Sequence, residues 1–311
     1  MKFRTEIQPD KAQKQIDYNS NLFLIGSCFT QHINTKLDYF KFNTVANPFG
    51  ILFQPKAIEN LILAAVNDTI YNEDDLFFYN ERWHCFDTHS NLSATNKNTL
   101  LNTLNNAVTQ TKTQITNASH IIITLGTAWV YEFLDTKKIV ANCHKIPQKK
   151  FHKKILSVSE ISSIILQIIT TIFKINTNTS IIFTVSPVRH LKDGFIENQQ
   201  SKAHLITAIH QTIKNANYFP SYEIMIDDLR DYRFYKKDLL HPNEIAIAYI
   251  WQKFTETWLN PSVKETMNQV NLIQKGLAHK PFHAKSAKHL QFLKNLTQQM
   301  SVLEKTKQIK F

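Results

Sequence analysis

Three short apolar runs stand out along the chain: residues 21–25 (NLFLI), 121–125 (IIITL) and 181–185 (IIFTV). They are too short for helices and do not alternate with polar residues, so they read as strands buried on both faces. Between and after them lie helix-periodic stretches at 31–40, 97–118, 157–174, 201–215 and 243–259. Another helix is expected at 55–68, where Pro55 suits a first turn. Shorter strands are expected at 44–46 and 223–226, with a turn at Asn47-Pro48-Phe49-Gly50. Residues 71–90 are aromatic and extended, and read as a hairpin or an inserted excursion. Strands alternating with helices predict an α/β fold with a mainly parallel central sheet, helices on both faces and chemistry beyond the carboxyl ends of the strands. Pro261 breaks the pattern. Residues 1–260 read as one domain and 261–311 as a basic helical C-terminal extension. No internal repeat is visible.

Composition narrows the classes. With 43% hydrophobic and 20% charged residues over 311 positions, the chain can bury a core. No run approaches the roughly 18 apolar residues of a membrane span. The start, MKFRTE, lacks the apolar core of a signal peptide, so a cytoplasmic location is expected and no membrane partner. Three cysteines do not suggest a disulfide framework. The formal charge is +11, and beyond residue 260 there are nine Lys against two Glu. A second basic run, Lys145 to Lys154, holds five Lys and no acid. Such runs read as solvated lysine, or else as a nucleic-acid or acidic-surface contact. No nucleic-acid-binding motif accompanies them, and no nucleic-acid partner is expected.

Glycine marks the candidate site. Only five glycines occur in 311 residues, against a usual level of roughly 7%. Gly26, Gly50 and Gly126 follow predicted strands, directly or by a short turn, so a parallel sheet would set all three at one edge. Ser27 follows Gly26 at the start of a helix. It fits two roles, a helix cap or a nucleophile at a site that favours a developing anion. Asp238-Leu239-Leu240-His241 precedes the last helix of the main body. That spacing lets a carboxylate hold an imidazole in one tautomer, leaving its other nitrogen free to take a proton.

The run Gly26-Ser27-Cys28-Phe29 resembles the motif of the GSCFA family, with Thr30 in place of the final Ala. The similarity runs from about residue 20 to 258. It includes NPFG (47–50), LGTAWVYE (125–132), ANCHK (141–145), SPVRHLKDG (186–194), FPSYEIMIDDLRDYRFY and DLLHP. That family resembles a branch of the SGNH/GDSL hydrolases. The resemblance implies a three-layer α/β/α sandwich in which Ser27 is the nucleophile and Asp238 and His241 its partners. It further implies an oxyanion held by the backbone N–H groups of Ser27 and Gly50, with no cofactor or metal. The superfamily's Asn donor is missing at Gly126-Thr127-Ala128-Trp129. Thr127, Asn47 or Asn142 would have to replace it. The expected substrate is a small or carbohydrate acyl ester, which is hydrolysed or whose acyl group is transferred. The alternative is a binding protein that keeps the cleft and has lost the chemistry.

Further residues join the expected site. Arg189 and His190 follow a strand directly. Arg189 would hold a carboxylate or phosphate, or pair with Asp193 or Glu197. His190 rivals His241 as base, and Cys28 rivals Ser27 as nucleophile. Trp83 and Trp129 could stack on a sugar. In Trp83-His84-Cys85-Phe86-Asp87-Thr88-His89, the residues Cys85, Asp87 and His89 would share one strand face. Metal binding there is disfavoured against cleft lining or packing, and Asn142-Cys143-His144 is read in the same way. The run Asp227 to Arg233 reads as a salt-bridged loop, and His204 and His210 as structural or exposed.

Overall fold

The computed structural model describes residues 5–311. The first four residues of the run read as lacking a signal-peptide core lie outside the described residues. In chain order the elements are β1 (Asn21–Gly26), α1 (Cys28–Tyr39), β2 (Asn43–Ala46), α2 (Pro55–Val66), β3 (Leu76–Tyr79), β4 (Arg82–Cys85), α3 (Lys97–Asn117) and β5 (His120–Leu125). Then follow β6 (Trp129–Phe133), β7 (Lys138–Val140), β8 (Phe151–Ile155), α4 (Val158–Ile175), β9 (Ser180–Val185), α5 (Phe195–Thr212) and β10 (Asn217–Phe219). The chain closes with α6 (Ser221–Glu223), α7 (Glu244–Trp258), α8 (Lys264–Leu277) and α9 (Ala287–Lys307).

The central sheet has the order β10-β9-β5-β1-β2, and every pairing in it is parallel. Register is tight: Gly26 lies opposite Thr124, and Leu125 opposite Val185. The chain builds outward from β1 to β2, then crosses back to β5 and continues the other way. The strand order therefore reverses between β1 and β5, and the crevice beyond their carboxyl ends is where open α/β sheets hold their ligands.

Side-chain alternation along the strands makes three layers. Phe23, Ile25, Ile121, Ile123, Ile181 and Phe183 face the helices α2 to α5. Leu22, Leu24, Ile122 and Ile182 face α1 and α7, where Phe29, Ile33, Ile250 and Phe254 pack. Each such fully buried side chain contributes about 1.5–3 kcal/mol. The helix α4 begins in a reciprocal cap: Ser157 Oγ accepts the Glu160 N–H, and the Glu160 carboxylate accepts the Ser157 N–H. Its 18 residues average a hydropathy of 1.5, long and apolar enough to cross a membrane, contrary to the sequence expectation. Here its Ile161, Ile165, Ile168 and Ile172 lie in the sheet core, while Ser159, Glu160 and Ser163 face outward. The helices α8 and α9 share a small core of Val270, Ile273, Leu296 and Leu303. Gln274 Nε2 and the Tyr39 carbonyl, 2.9 Å apart, join α8 to α1.

Two regions differ from the pattern reading. The fifth sheet strand is β10, not 223–226. The apolar run Ile224-Met225-Ile226 instead follows α6 into a π-helical turn, Ile224–Leu229, which buries Ile224 and Met225 against the α1–α7 layer. The excursion between β5 and α4 is an antiparallel sheet of order β7-β6-β8. Residues 71–90 do hold a hairpin, β3 with β4.

Candidate functional site

The carboxyl ends of β2, β1, β5 and β9 deliver Asn47, Ser27, Gly126 and Ser186, each one residue past its strand. Gly26 makes this closeness possible. Its φ is 141°, and a Cβ there would lie 2.2 Å from the Thr124 carbonyl oxygen. That same carbonyl accepts the Ser27 N–H at 3.1 Å. Ser27 is 1% exposed. It caps α1, its Oγ accepting the Phe29 N–H at 3.3 Å. Cys28 beside it is half-buried, and burial holds its thiol above the ordinary range, against a thiolate nucleophile.

Asp238 and His241 form a compact unit before α7. Asp238 Oδ2 lies 2.7 Å from His241 Nδ1, and Oδ1 accepts the backbone N–H groups of Leu240 at 2.9 Å and His241 at 3.0 Å. The N–H of His241, then that of Leu240, then the imidazole hold this carboxyl down at about 2. Arg189 fixes the loop from β9: its N–H donates to the Leu240 carbonyl at 3.1 Å, and Nη1 to that of Leu239 at 3.2 Å. The guanidinium sits 5.3–5.6 Å from the rings of Phe195, Tyr232 and Tyr235. His32, one turn into α1, has its imidazole lowered by burial. Among the described residues no hydrogen bond joins His241 to Ser27 Oγ.

The expected oxyanion donors are differently placed. The Ser27 N–H is given to Thr124, and the Gly50 N–H to the Asn47 carbonyl at 2.8 Å. Gly50 backs onto His89: a Cβ there would lie 2.5 Å from that of His89. Of the replacement donors, Thr127 Oγ1 pairs with Ser201 Oγ at 3.0 Å and also accepts the Trp129 N–H. Asn142 Oδ1 accepts the His144 N–H at 2.8 Å. Asn47 differs from both. Its Oδ1 accepts the Gly26 N–H at 2.8 Å, which fixes the amide, and its Nδ2 is buried without a partner among the described residues. Its φ of 49° is left-handed, a strain tolerated by Asn more than by most residues.

Three residues of α5 support this edge and give no sequence signal. Lys202 is fully buried, and its Nζ donates to the carbonyls of Gly126 at 2.7 Å and Ser186 at 2.8 Å. Burial pushes it down to about 7, offset in part by Cys28 and Glu223. Ser201 Oγ accepts the Ala128 N–H at 2.7 Å, and Asn198 Oδ1 accepts the His190 N–H at 2.9 Å. His190 Nε2 is buried without a partner among the described residues, 3.2 Å from where a Gly126 Cβ would lie. Burial, then Lys202 and His241, push its imidazole down to about 3. A neutral ring with so low a value is a poor rival to His241 as base.

The aromatic hairpin gathers a second set of residues. His84 is locked inside it, Nδ1 2.6 Å from Ser93 Oγ and Nε2 2.9 Å from the Tyr79 carbonyl. His144 lies against it, its Nε2 2.7 Å from the Cys85 carbonyl, and burial lowers it to about 4. Trp83 lies under Lys97, at 4.9 Å. The strand face expected to hold Cys85, Asp87 and His89 does not form, because β4 ends at Cys85 and the chain turns. Asp87 accepts from Tyr71 at 3.3 Å, and His89 adjoins Gly50. Cys143 is half-buried, its thiol raised by burial to about 11. Trp129 Nε1 donates to the Glu197 carbonyl at 3.2 Å, with Lys153 4.6 Å over its ring. The run Asp227 to Arg233, expected as a salt-bridged loop, opens inside the π-helical turn; in it Arg230 pairs with Asp227 and Arg233 with Asp231. His204 Nδ1 lies 2.8 Å from the Leu156 carbonyl, and the ring of His210 packs on Tyr218.

Comparison with known proteins places this geometry in context. A family model described as "GSCFA family" matches residues 21–254. A second, described as "GSCFA domain protein, C-terminal domain", matches residues 270–311. No curated protein matches the chain.

Proposed function

The chain belongs to the GSCFA family, and from that premise we propose that it is a serine hydrolase or acyltransferase working through an acyl-Ser27 intermediate. The observation that carries this reading is the Asp238–His241 pair, 2.7 Å apart and tied by Arg189 to the loop that follows β9. A resemblance of the family to the SGNH/GDSL hydrolases supports it. Substrate binding draws His241 Nε2 onto Ser27 Oγ, a contact that unliganded sites often leave open. Ser27 Oγ attacks the acyl carbon while Nε2 takes its proton, and Asp238 stabilises the imidazolium. The oxyanion meets Asn47 Nδ2 and the amino end of α1. Collapse expels the alcohol, which takes the proton back from His241. Water or an acceptor alcohol then attacks the acyl-serine by the same route.

The test is reaction with a fluorophosphonate probe and hydrolysis of short-chain aryl esters. A covalent adduct on Ser27, with both activities lost in Ser27→Ala, is expected. Equal ester hydrolysis by wild type and Ser27→Ala would end the proposal. A second reading, a binding protein without chemistry, draws on Ser27 Oγ facing the Phe29 N–H and on the engaged N–H groups of Ser27 and Gly50. It predicts no adduct at all.

A further inference from the structure

Two basic side chains are built into the edge around Ser27: Lys202, whose Nζ lies on the Gly126 and Ser186 carbonyls, and Arg189, bonded to the loop that holds Asp238 and His241. The acid at this edge, Asp238, is committed to His241 and to two backbone N–H groups. Glu223, whose charge reaches Lys202, accepts the Tyr218 hydroxyl at 2.7 Å instead.

Arg189 sharpens the point. Among the described residues it makes no ion pair. Asp193, a sequence neighbour, pairs with Lys153 at 2.5 Å. The guanidinium has five N–H donors, and its side-chain hydrogen bond goes to Leu239, a residue between Asp238 and His241. Aromatic rings on α5 and on the 232–235 turn hold it in place. A preset, uncompensated fork beside the base is an anion receptor. Lys202 lies buried beneath this edge, its Nζ given to the Gly126 and Ser186 carbonyls, and takes no part in the contact.

We infer that the ester handled at Ser27 is itself an anion, carrying a carboxylate or phosphate that Arg189 binds while the scissile carbonyl meets Ser27. This rests on the hydrolase reading above and names its substrate class.

Two paired measurements on the full chain test it. The first compares 4-nitrophenyl butyrate, neutral, with 4-nitrophenyl hemisuccinate, whose acyl chain ends in a carboxylate. The charged ester is expected to show a kcat/KM higher by on the order of tenfold, with the margin shrinking as salt is raised. In Arg189→Leu both esters lose activity, the charged one by on the order of tenfold more. Equal, measurable rates for the two esters, or a preference that survives Arg189→Leu, overturn the inference. The second measures the melting temperature of Ser27→Ala with monomethyl succinate, glycerol 3-phosphate or dimethyl succinate. Stabilisation by either anion, lost on adding Arg189→Leu, supports the inference and tells carboxylate from phosphate. It does so even if no ester is turned over, a result that would remove the hydrolase reading alone. No stabilisation by either anion overturns it.

Discussion

His241 and Asp238 hold one another twice: through the imidazole Nδ1 at 2.7 Å and through the His241 backbone N–H at 3.0 Å. Because the carboxylate is also pinned by the Leu240 N–H, its position is set by main chain before any imidazole is placed. A carboxylate acceptor at Nδ1 puts the proton there and leaves Nε2 as the acceptor.

Asp238→Asn should therefore lower kcat by about 10³–10⁴ with an intact fold, as loss of tautomer control does in related triads. Asp238 is held at about 2, so it stays ionised as activity falls on acidification, and that fall belongs to another group. A depressed carboxyl contributes stability above its ordinary value near 4, and this is lost as the pH falls toward about 2. The melting-temperature gap between wild type and Asp238→Asn should narrow over that range. The gap is small, since the carboxylate is exposed.

Asn47→Asp tests the oxyanion donor. It keeps the acceptor for the Gly26 N–H and removes Nδ2. The rate of phosphonate labelling at Ser27 should fall by about 10²–10³. Unchanged labelling would show that Asn47 is not the donor.

The main architecture is legible from pattern. β1, β5 and β9 are unbroken apolar runs, and α4 announces itself by its apolar face and by Ser157 and Glu160. The aspartate–histidine pair is legible because both members lie within one turn of chain. The β6–β8 sheet is not: it is half-buried, and its last strand, FHKKI, contains lysines that read as a solvated run. β10 is displaced because Ile224 and Met225 satisfy burial as a π-helical turn as well as a strand would. Lys202 is invisible for another reason. Nothing in SKAHL separates a lysine that reaches inward to two carbonyls from one that reaches out to water.

Ser201→Ala should destabilise the chain by about 1–3 kcal/mol in urea unfolding. Its hydroxyl accepts the buried Ala128 N–H at 2.7 Å, and alanine leaves that donor unpaired. No change would mean that the 126–129 segment finds another acceptor.

Lys202 predicts a basic-side pH dependence. Burial lowers it from its ordinary 10.5 to about 7. Between those values the unfolded chain holds a proton that the folded chain has released, so stability contributed through this group rises with pH. The groups facing it are Cys28, His190, Tyr222 and Glu223. Relative to Lys202→Met, the wild type should gain melting temperature from about pH 7 to about pH 10. A gap that is flat across that window would show that Lys202 stays charged in the folded state.

The contact at Gly26 has an outcome for any mutational survey of this chain. A methyl group at that position collides with the carbonyl that anchors the next peptide. Prying those two strands apart would dislodge the serine along with them. Position 26 would thus score as indispensable for turnover although it meets no reactant, and only a folding assay run in parallel would reveal the loss as architectural.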